Sequence, residues 1–204
     1  MKGLKRILPF FSYVFHPLFI PFYAVVYAVL LRQHYLLPAE VYLLLIQVGI
    51  ITVLIPISIF FLLRSLGRID SVMVNDLRQR KVPLAVQGLL IYLLVRQSIT
   101  LERMPELYFF FLATMLSIAI ALIMVFFGKR ISLHMMGMAG LIFFVVGIAF
   151  HNRINLADTA AFLFVATGFV ASSRLYMKAH DYLELALGFF AGMLPQMTLW
   201  YFWV

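Results

Sequence analysis

Apolar residues occur along this chain in seven long blocks, separated by short stretches of charged residues and proline. The blocks cover residues 10–31, 41–63, 83–99, 107–127, 134–150, 157–172 and 181–204. None alternates apolar and polar residues as a membrane β-strand does, and most approach the roughly 20 residues that a membrane-crossing helix needs. A helix in lipid satisfies its own backbone hydrogen bonds. The pattern predicts an all-α integral membrane protein, a bundle of about six to seven transmembrane helices.

The composition supports this interpretation and limits the number of domains. Hydrophobic residues make up 65% of the chain and charged residues 12%, whereas an average soluble domain is about half apolar and a quarter charged. Such a chain cannot cover itself with polar groups, so a soluble globular protein is excluded. No polar block is long enough for a second domain, and residues 1–204 are expected to form one transmembrane domain. The absence of cysteine excludes disulfides and thiolate chemistry.

The start of the chain and the distribution of charge bear on topology. A basic head precedes the first block, which carries His16 and Pro17 and lacks an A-x-A-like cleavage site, so we expect a retained first helix. If all seven blocks cross, the side with the N-terminus holds 12 of the 16 basic residues. The positive-inside rule would make this side cytoplasmic, in a bacterial inner membrane. A site for an anionic ligand would gather the same charges, which leaves the orientation open.

Three polar pieces of the chain lie on this basic side, at residues 71–83, 128–137 and 172–192. Ionisable groups at membrane depth are costly and are functional candidates by default. The helices of a bundle can bring the three pieces together at one membrane face. We therefore expect a site there, with His16 on the same side as a residue that could line its mouth.

The residue types in these pieces suit phosphoryl transfer from an anionic lipid. Arginine matches phosphate oxygens with its planar fork, and Ser132 with backbone N–H groups at a helix N-terminus can add donors. His180 and Glu184 are four residues apart, so the carboxylate can hold one ring nitrogen and leave the other as a nucleophile. Asp181 is the less favoured partner, because adjacent residues do not share a helix face. His134 would then protonate the leaving oxygen.

Carboxylates are too few here for a Mg²⁺ cage, a site that oxygen ligands build. No metal or other cofactor is expected, and no nucleic-acid partner. The expected partners are the lipid bilayer and a phosphorylated membrane lipid as substrate.

Two of the pieces follow the signatures of a known family. Ser173, Arg174, His180 and Glu184 resemble the pattern S-R-x5-H-x3-D of the type 2 phosphatidic acid phosphatase superfamily, with Glu in place of Asp. The segment Ser132-Leu133-His134 resembles the S-G-H signature of that family, with Leu in place of Gly. The order of the two motifs matches, and so do the two apolar blocks between them.

The first signature of the family, K-x6-R-P, is matched poorly. If Pro83 is its proline, Asn75 and Val82 stand where Lys and Arg belong. The basic residues nearby are the candidate replacements: Arg78, Arg80 and Lys81.

The resemblance covers roughly residues 70–190, and it implies a metal-independent phosphohydrolase of membrane lipids. It implies that His180 attacks phosphorus to form a phosphohistidine, that His134 is the general acid and that Glu184 supports His180. The phosphate ligands it implies are the following: Arg174, Ser132, Arg78, Arg80 and Lys81. Phosphatidic acid, phosphatidylglycerol phosphate and polyprenyl diphosphates all qualify as substrates.

Other functions stay open at this point. The degraded first motif and the change of Asp to Glu also fit a member of the same fold that binds or carries an anionic lipid without hydrolysing it. Asn75-Asp76 followed by Arg78 prompts a polyprenyl transferase, although a second Asp-rich cluster for Mg²⁺ is missing from the sequence. A small transporter would show paired broken helices in matching halves, and the sequence has none.

The last block contains a G-x-x-x-G spacing at Gly188 and Gly192. Such a face allows close packing of another helix. That helix belongs either to the same chain or to a second subunit, so a homodimer through this face is one possibility.

Overall fold

The structure is a computed structural model that describes residues 2–32, 36–67 and 77–204, without the side chains of residues 2–6 and 78. In these ranges all regular structure is helical, as predicted, and no strand is present. A π-helical turn at Ile50–Leu54 joins α3 to α4. The α-helices are α1 Lys2–Val14, α2 Ile20–Arg32, α3 Pro38–Gly49, α4 Ile55–Ser65, α5 Leu77–Gln97, α6 Pro105–Phe126, α7 Leu133–Asn152, α8 Ala157–Tyr176 and α9 Tyr182–Trp200.

The first apolar block forms two helices instead of the single one predicted. Helix α1 ends at Val14 and α2 begins at Ile20, with His16 and Pro17 between them. Proline has no N–H to donate and disfavours the helical conformation at the residue before it, so the helix stops there. The break exposes backbone groups at the end of α1 that a continuous helix would use internally.

The second block forms one continuous rod, Pro38–Ser65, from α3, the π turn and α4. Pro56 cannot donate the next helical hydrogen bond, and the π turn directly before it accommodates this loss. Helix α5 begins at Leu77, earlier than predicted. Arg80 and Lys81 therefore belong to the start of a helix and not to a loop.

Four helices of the described chain are long and apolar enough to cross a membrane, where six to seven were predicted. They are Pro38–Ser65, Pro105–Phe126, Leu133–Asn152 and Ala157–Tyr176. Helix α2 is apolar but has only 13 residues, because the proline break shortens its block. Helix α5 includes several basic residues, and α9 contains Glu184, Pro195 and Gln196, which lower their apolar character.

Helix α7 lies at the centre of the bundle and packs most extensively against α9. Gly188 and Gly192 of α9 make this close packing possible. A Cβ at Gly188 would collide with the backbone of Ser132, just before α7, and a Cβ at Gly192 would collide with the backbone of Met136, within α7. The neighbouring helix of the same chain thus occupies this face. A homodimer through the same face, the other possibility, stays a prediction.

The packing places the polar pieces at one end of the bundle. Arg130 before α7 contacts Glu184 in the first turn of α9, and Arg80 in α5 contacts the carbonyl of Ile131. The opposite end is held by other ion pairs, including Arg32 with Glu106 at 2.6 Å. The expected meeting of the three pieces is confirmed for the parts described, while residues 71–76 of the first piece lie outside the described ranges.

Candidate active site

His180 and Glu184 form the closest side-chain pair of the site. Nδ1 of His180 lies 2.7 Å from Oε2 of Glu184, and the His180 side chain is 3% exposed. Asp181 instead caps α9, because its carboxylate accepts a hydrogen bond of 2.8 Å from the Glu184 amide. Of the two candidates for orienting His180, Glu184 is therefore the one that does so.

The contact between His180 and Glu184 determines which nitrogen of the His180 ring carries the proton and influences the charge of the ring. Since a carboxylate only accepts hydrogen bonds, Nδ1 carries the proton and Nε2 presents its lone pair. Burial lowers the pKa of His180 below its ordinary value, and the positive charges of Arg80 and Arg174 act in the same direction. Glu184 opposes them through its hydrogen bond and its charge. The ring is thus a neutral imidazole at neutral pH, which is the form that can act as a nucleophile.

Arg130 holds the other oxygen of the same carboxylate. Its Nε lies 2.9 Å from Oε1 of Glu184. The backbone adds a second link two residues later, where the Ser132 amide donates to the carbonyl of Glu184 at 3.0 Å. The segment before α7 is therefore fixed to the first turn of α9 by a side chain and by the backbone.

Ser132 begins α7 and is fully buried. Its hydroxyl accepts a hydrogen bond of 3.4 Å from the amide of Met135, so it serves as the N-cap of the helix. The positive end of the α7 dipole points into the site from this residue, an arrangement that favours an anion. Ser132, the predicted phosphate ligand, thus lies beside Glu184, and its hydroxyl is used in capping.

His134 lies in the first turn of α7 and is buried against the end of α1. Its Nε2 is 3.0 Å from the carbonyl oxygen of Ser12, to which it donates. This carbonyl is available because α1 ends before Pro17, where the amide of His16 bonds to the carbonyl of Tyr13. The contact leaves Nδ1 of His134 as the nitrogen free for proton transfer.

The end of α1 adds further contacts to this region. The hydroxyl groups of Ser12 and Ser173 are hydrogen-bonded at 2.6 Å. The ring of His16 stands edge-on to that of His134, with centroids 5.2 Å apart. Burial and the positive charge of Arg174 lower the pKa of His16 to about 4, so this ring is neutral at physiological pH.

Arg174 lies in the last turn of α8, close to His16 and His180. Its side chain is buried, with the residue 8% exposed, and its Nε makes no hydrogen bond within the described structure. Its charge acts on His16, on His180 and on Arg80. A buried guanidinium with an unused donor is unfavourable unless an anion completes its shell. An anion could therefore be held beside Arg174.

The three basic residues that were candidates to replace the first motif differ in position. Arg80 donates to the carbonyl of Ile131 at 3.4 Å and lies within the field of Arg130, Glu184 and Arg174, so it belongs to the site. Lys81 instead places its ammonium 4.5 Å from the ring centroid of Phe126, on an exposed surface. No contact joins Lys81 to the other site residues in the described chain. The side chain of Arg78 lies outside the described residues.

Sequence reasoning did not select Arg130 or Ser12. Arg130 was visible only as one of several basic residues in its piece, and nothing in the sequence marked Ser12. His16 was noted as a residue that could line the mouth, and it does lie against His134. Among the residues described, no group of three His, Asp or Glu side chains is placed to hold a metal ion.

Comparison with known proteins adds no relative. No protein-family model matches the sequence, and no curated protein and no solved structure is significantly similar to it. The geometry of the site must therefore carry any statement about function.

Proposed function

We propose that this protein is a membrane phosphohydrolase that removes phosphate from a lipid phosphate or a polyprenyl diphosphate through a phosphohistidine at His180. The observation that carries the proposal is the buried guanidinium of Arg174, whose Nε has no partner in the described structure. It lies beside a neutral histidine that a carboxylate orients, with a lone pair on the free nitrogen. A bound phosphate would complete the shell of Arg174 and present phosphorus to His180.

We further propose that the bundle lies in a bacterial cytoplasmic membrane. The four long apolar helices would cross it, and α9, which packs along α6 and α7, would cross with them, as would α5 beside α6. The site would then lie at one membrane face, where a lipid headgroup sits. Exposed apolar side chains on the outer faces of the helices, such as Phe164 and Leu194, would contact lipid. The tail of the substrate can remain in the bilayer while its phosphate enters the site.

In the first step of the proposed mechanism, Nε2 of His180 attacks phosphorus. The new N–P bond forms as the bond from phosphorus to the leaving oxygen breaks, and that oxygen takes the Nδ1 proton of His134, which enters this step as the imidazolium and leaves it neutral. Arg174 and Arg80 stabilise the negative charge on the nonbridging oxygens. The Glu184 carboxylate stabilises the positive charge that develops on the His180 ring.

In the second step, water attacks the phosphohistidine and restores the enzyme. The neutral His134 accepts a proton from the water as the new O–P bond forms, and the N–P bond breaks to release inorganic phosphate and free His180. The Ser12 carbonyl keeps His134 in one orientation through both steps, since it accepts the hydrogen bond from Nε2–H and leaves Nδ1 for the proton transfer.

The decisive experiment is phosphate release by the purified protein in detergent, with and without EDTA. The substrates are phosphatidic acid, phosphatidylglycerol phosphate and a polyprenyl diphosphate. The test variant is His180→Ala, and the matched control is His151→Ala, an exposed histidine in the last turn of α7, at the end of the helix opposite the site. We expect release that survives EDTA, disappears in His180→Ala and is unchanged in His151→Ala.

Other outcomes would favour the alternatives. Release that His180→Ala retains would overturn the assigned nucleophile. Binding of an anionic lipid without any release, unaffected by His180→Ala, would favour the non-catalytic carrier. Activity that EDTA abolishes, with a prenyl group transferred to an acceptor, would favour the polyprenyl transferase.

A further inference from the structure

The carboxylate of Glu184 is shared between two partners, one on each oxygen. Oε2 accepts from His180 at 2.7 Å, and Oε1 accepts from Arg130 at 2.9 Å. The Glu184 side chain is 13% exposed, so solvent contributes little to holding it. Its orientation is therefore set by the histidine on one side and by the arginine on the other.

Arg130 lies in the short segment between α6 and α7, and backbone hydrogen bonds hold this segment in place. Helix α6 ends at Phe126, and two residues later Gly128 adopts a left-handed conformation with φ of 71°. The amide of Lys129 then returns to the carbonyl of Met124 at 2.8 Å. Two residues after Arg130, the Ser132 amide binds the carbonyl of Glu184. The chain on both sides of Arg130 is thus fixed relative to α9, which fixes the direction from which its guanidinium reaches Glu184.

We propose that Arg130 is a positioning residue that holds Glu184 so that His180 keeps its proton on Nδ1 and its lone pair on Nε2. This inference rests on the proposed function for its catalytic meaning. The glutamate arm has one methylene more than an aspartate arm and therefore more rotamers to restrict. A second partner on Oε1 removes that freedom and keeps Oε2 on the histidine.

The charge of Arg130 has a second effect. His180 faces Glu184 on α9, Arg80 on α5, Arg174 at the end of α8 and His134 on α7. Glu184 is the one anion in this set, and it favours a charged imidazolium. Arg130 offsets that anion and so adds to burial, Arg80 and Arg174 in keeping the ring neutral and nucleophilic. Without Arg130, the unbalanced carboxylate would promote protonation of His180 on both nitrogens.

The experiment is ¹⁵N NMR of the full-length protein labelled at histidine, in detergent micelles, as a function of pH. The chain has 5 histidines, and the His180 signals are assigned by their loss in His180→Gln. In the wild type we expect the Nδ1–H tautomer. In Arg130→Gln we expect the protonation midpoint of His180 to rise by about one pH unit and the tautomer signals to become mixed.

Two further variants separate positioning from other roles. Arg130→Lys keeps the charge, and its midpoint should stay close to that of the wild type. Lys129→Gln removes the adjacent exposed cation and should change neither midpoint nor tautomer. If Arg130→Gln leaves both unchanged, or if Lys129→Gln shifts them equally, the proposal is wrong.

Activity measurements connect this result to turnover. If the hydrolase proposal holds, Arg130→Gln should lower kcat/KM more at acidic pH than at pH 8, and the additional loss should approach about tenfold at pH values below both NMR midpoints, because a rise of one unit cuts the neutral fraction about tenfold there. A loss confined to KM and equal at both pH values would mean that Arg130 binds phosphate directly and would overturn the positioning role. A shifted NMR midpoint without hydrolysis of any substrate would leave the positioning intact and remove the proposed function alone.

Discussion

His180 and Glu184 face each other across 2.7 Å at the point where α9 begins, while Asp181 between them turns away to cap that helix. Two carboxylates three residues apart thus have different tasks. One orients the histidine, and the other satisfies the helix terminus. The division follows from position, because the N-cap side chain reaches the amides of the first turn and the residue at the third helical position turns back toward the preceding loop.

This division predicts different effects for the same chemical change at the two residues. Glu184→Gln keeps the size of the side chain and removes its charge, so kcat should fall on the order of 10²-fold or more, as expected when an acid–base partner is lost. Asp181→Asn should leave kcat unchanged, because asparagine caps helices about as well as aspartate. Steady-state kinetics of the two variants measure the difference. Equal losses of kcat in the two variants would mean that Glu184, like Asp181, contributes only to the folding of the helix start.

Arg174 is expected to show a conflict between stability and binding. Arg174→Met replaces a buried guanidinium, whose Nε is unpaired in the described structure, by an apolar chain of similar length. The ligand-free variant should unfold a few degrees higher, since removal of such a charge is worth on the order of 1 kcal/mol or more. It should also lose phosphate release and any stabilisation by added phosphate.

Thermal unfolding followed by tryptophan fluorescence, with and without phosphate, measures both properties of Arg174→Met. The control is Arg64→Met, which removes an exposed cation and should change neither. A lower unfolding temperature for Arg174→Met would indicate a structural role for the arginine.

The contact between α7 and α9 should be sensitive to a single methyl group. Gly192→Ala would place a Cβ against the backbone carbonyl of Met136, and backbone cannot move aside cheaply. We expect a loss of about 2 kcal/mol in the free energy of unfolding, within the usual range for overpacking.

Gly168→Ala is the matched control for this change. Gly168 also lies inside a helix, but its added Cβ would meet nothing within 4 Å. Alanine is favoured over glycine in a helix by up to about 1 kcal/mol, so this variant should be neutral or slightly more stable. Denaturation in detergent compares the two, and equal destabilisation would argue against the close helix contact.

His16 should make stability depend on pH. Its pKa is about 4 in the folded protein and 6.5 ordinarily, because burial and Arg174 disfavour the charged ring. Between these values the unfolded chain binds a proton that the folded protein does not, so this contribution to stability is complete above pH 6.5 and is lost as the pH falls toward 4. Relative to the wild type, His16→Gln should therefore lose less stability between pH 7 and pH 4.5.

The measurement for His16 is the difference in unfolding temperature between wild type and variant at each pH. His151→Gln, at an exposed histidine far along α7, is the control and should follow the wild type. A constant difference between wild type and His16→Gln across this range would show that His16 is not held neutral by the fold.

The helices were predictable from the sequence because their signal is local. Long apolar blocks can bury their backbone only as helices, and most predicted blocks lie close to a helix of the structure. The contact of His180 with Glu184 was predictable for the same reason, since a spacing of four residues places side chains together at a helix turn. The number of membrane-crossing helices was harder to predict from the sequence. The break at His16 and Pro17 divided one block in two, and within the described ranges four helices meet the requirements of length and composition.

Tertiary structure decided which distant residues complete the site. Arg130 and Glu184 are 54 residues apart in the chain, and Ser12 and His134 are 122 apart. Whether such residues touch depends on the rotation and depth of each helix in the bundle, which close packing at Gly188 and Gly192 sets. The packing of α5 places Lys81 against Phe126 and Arg80 at the site. Sequence determined the helices and the chemistry available at their ends, and packing determined which of those side chains meet.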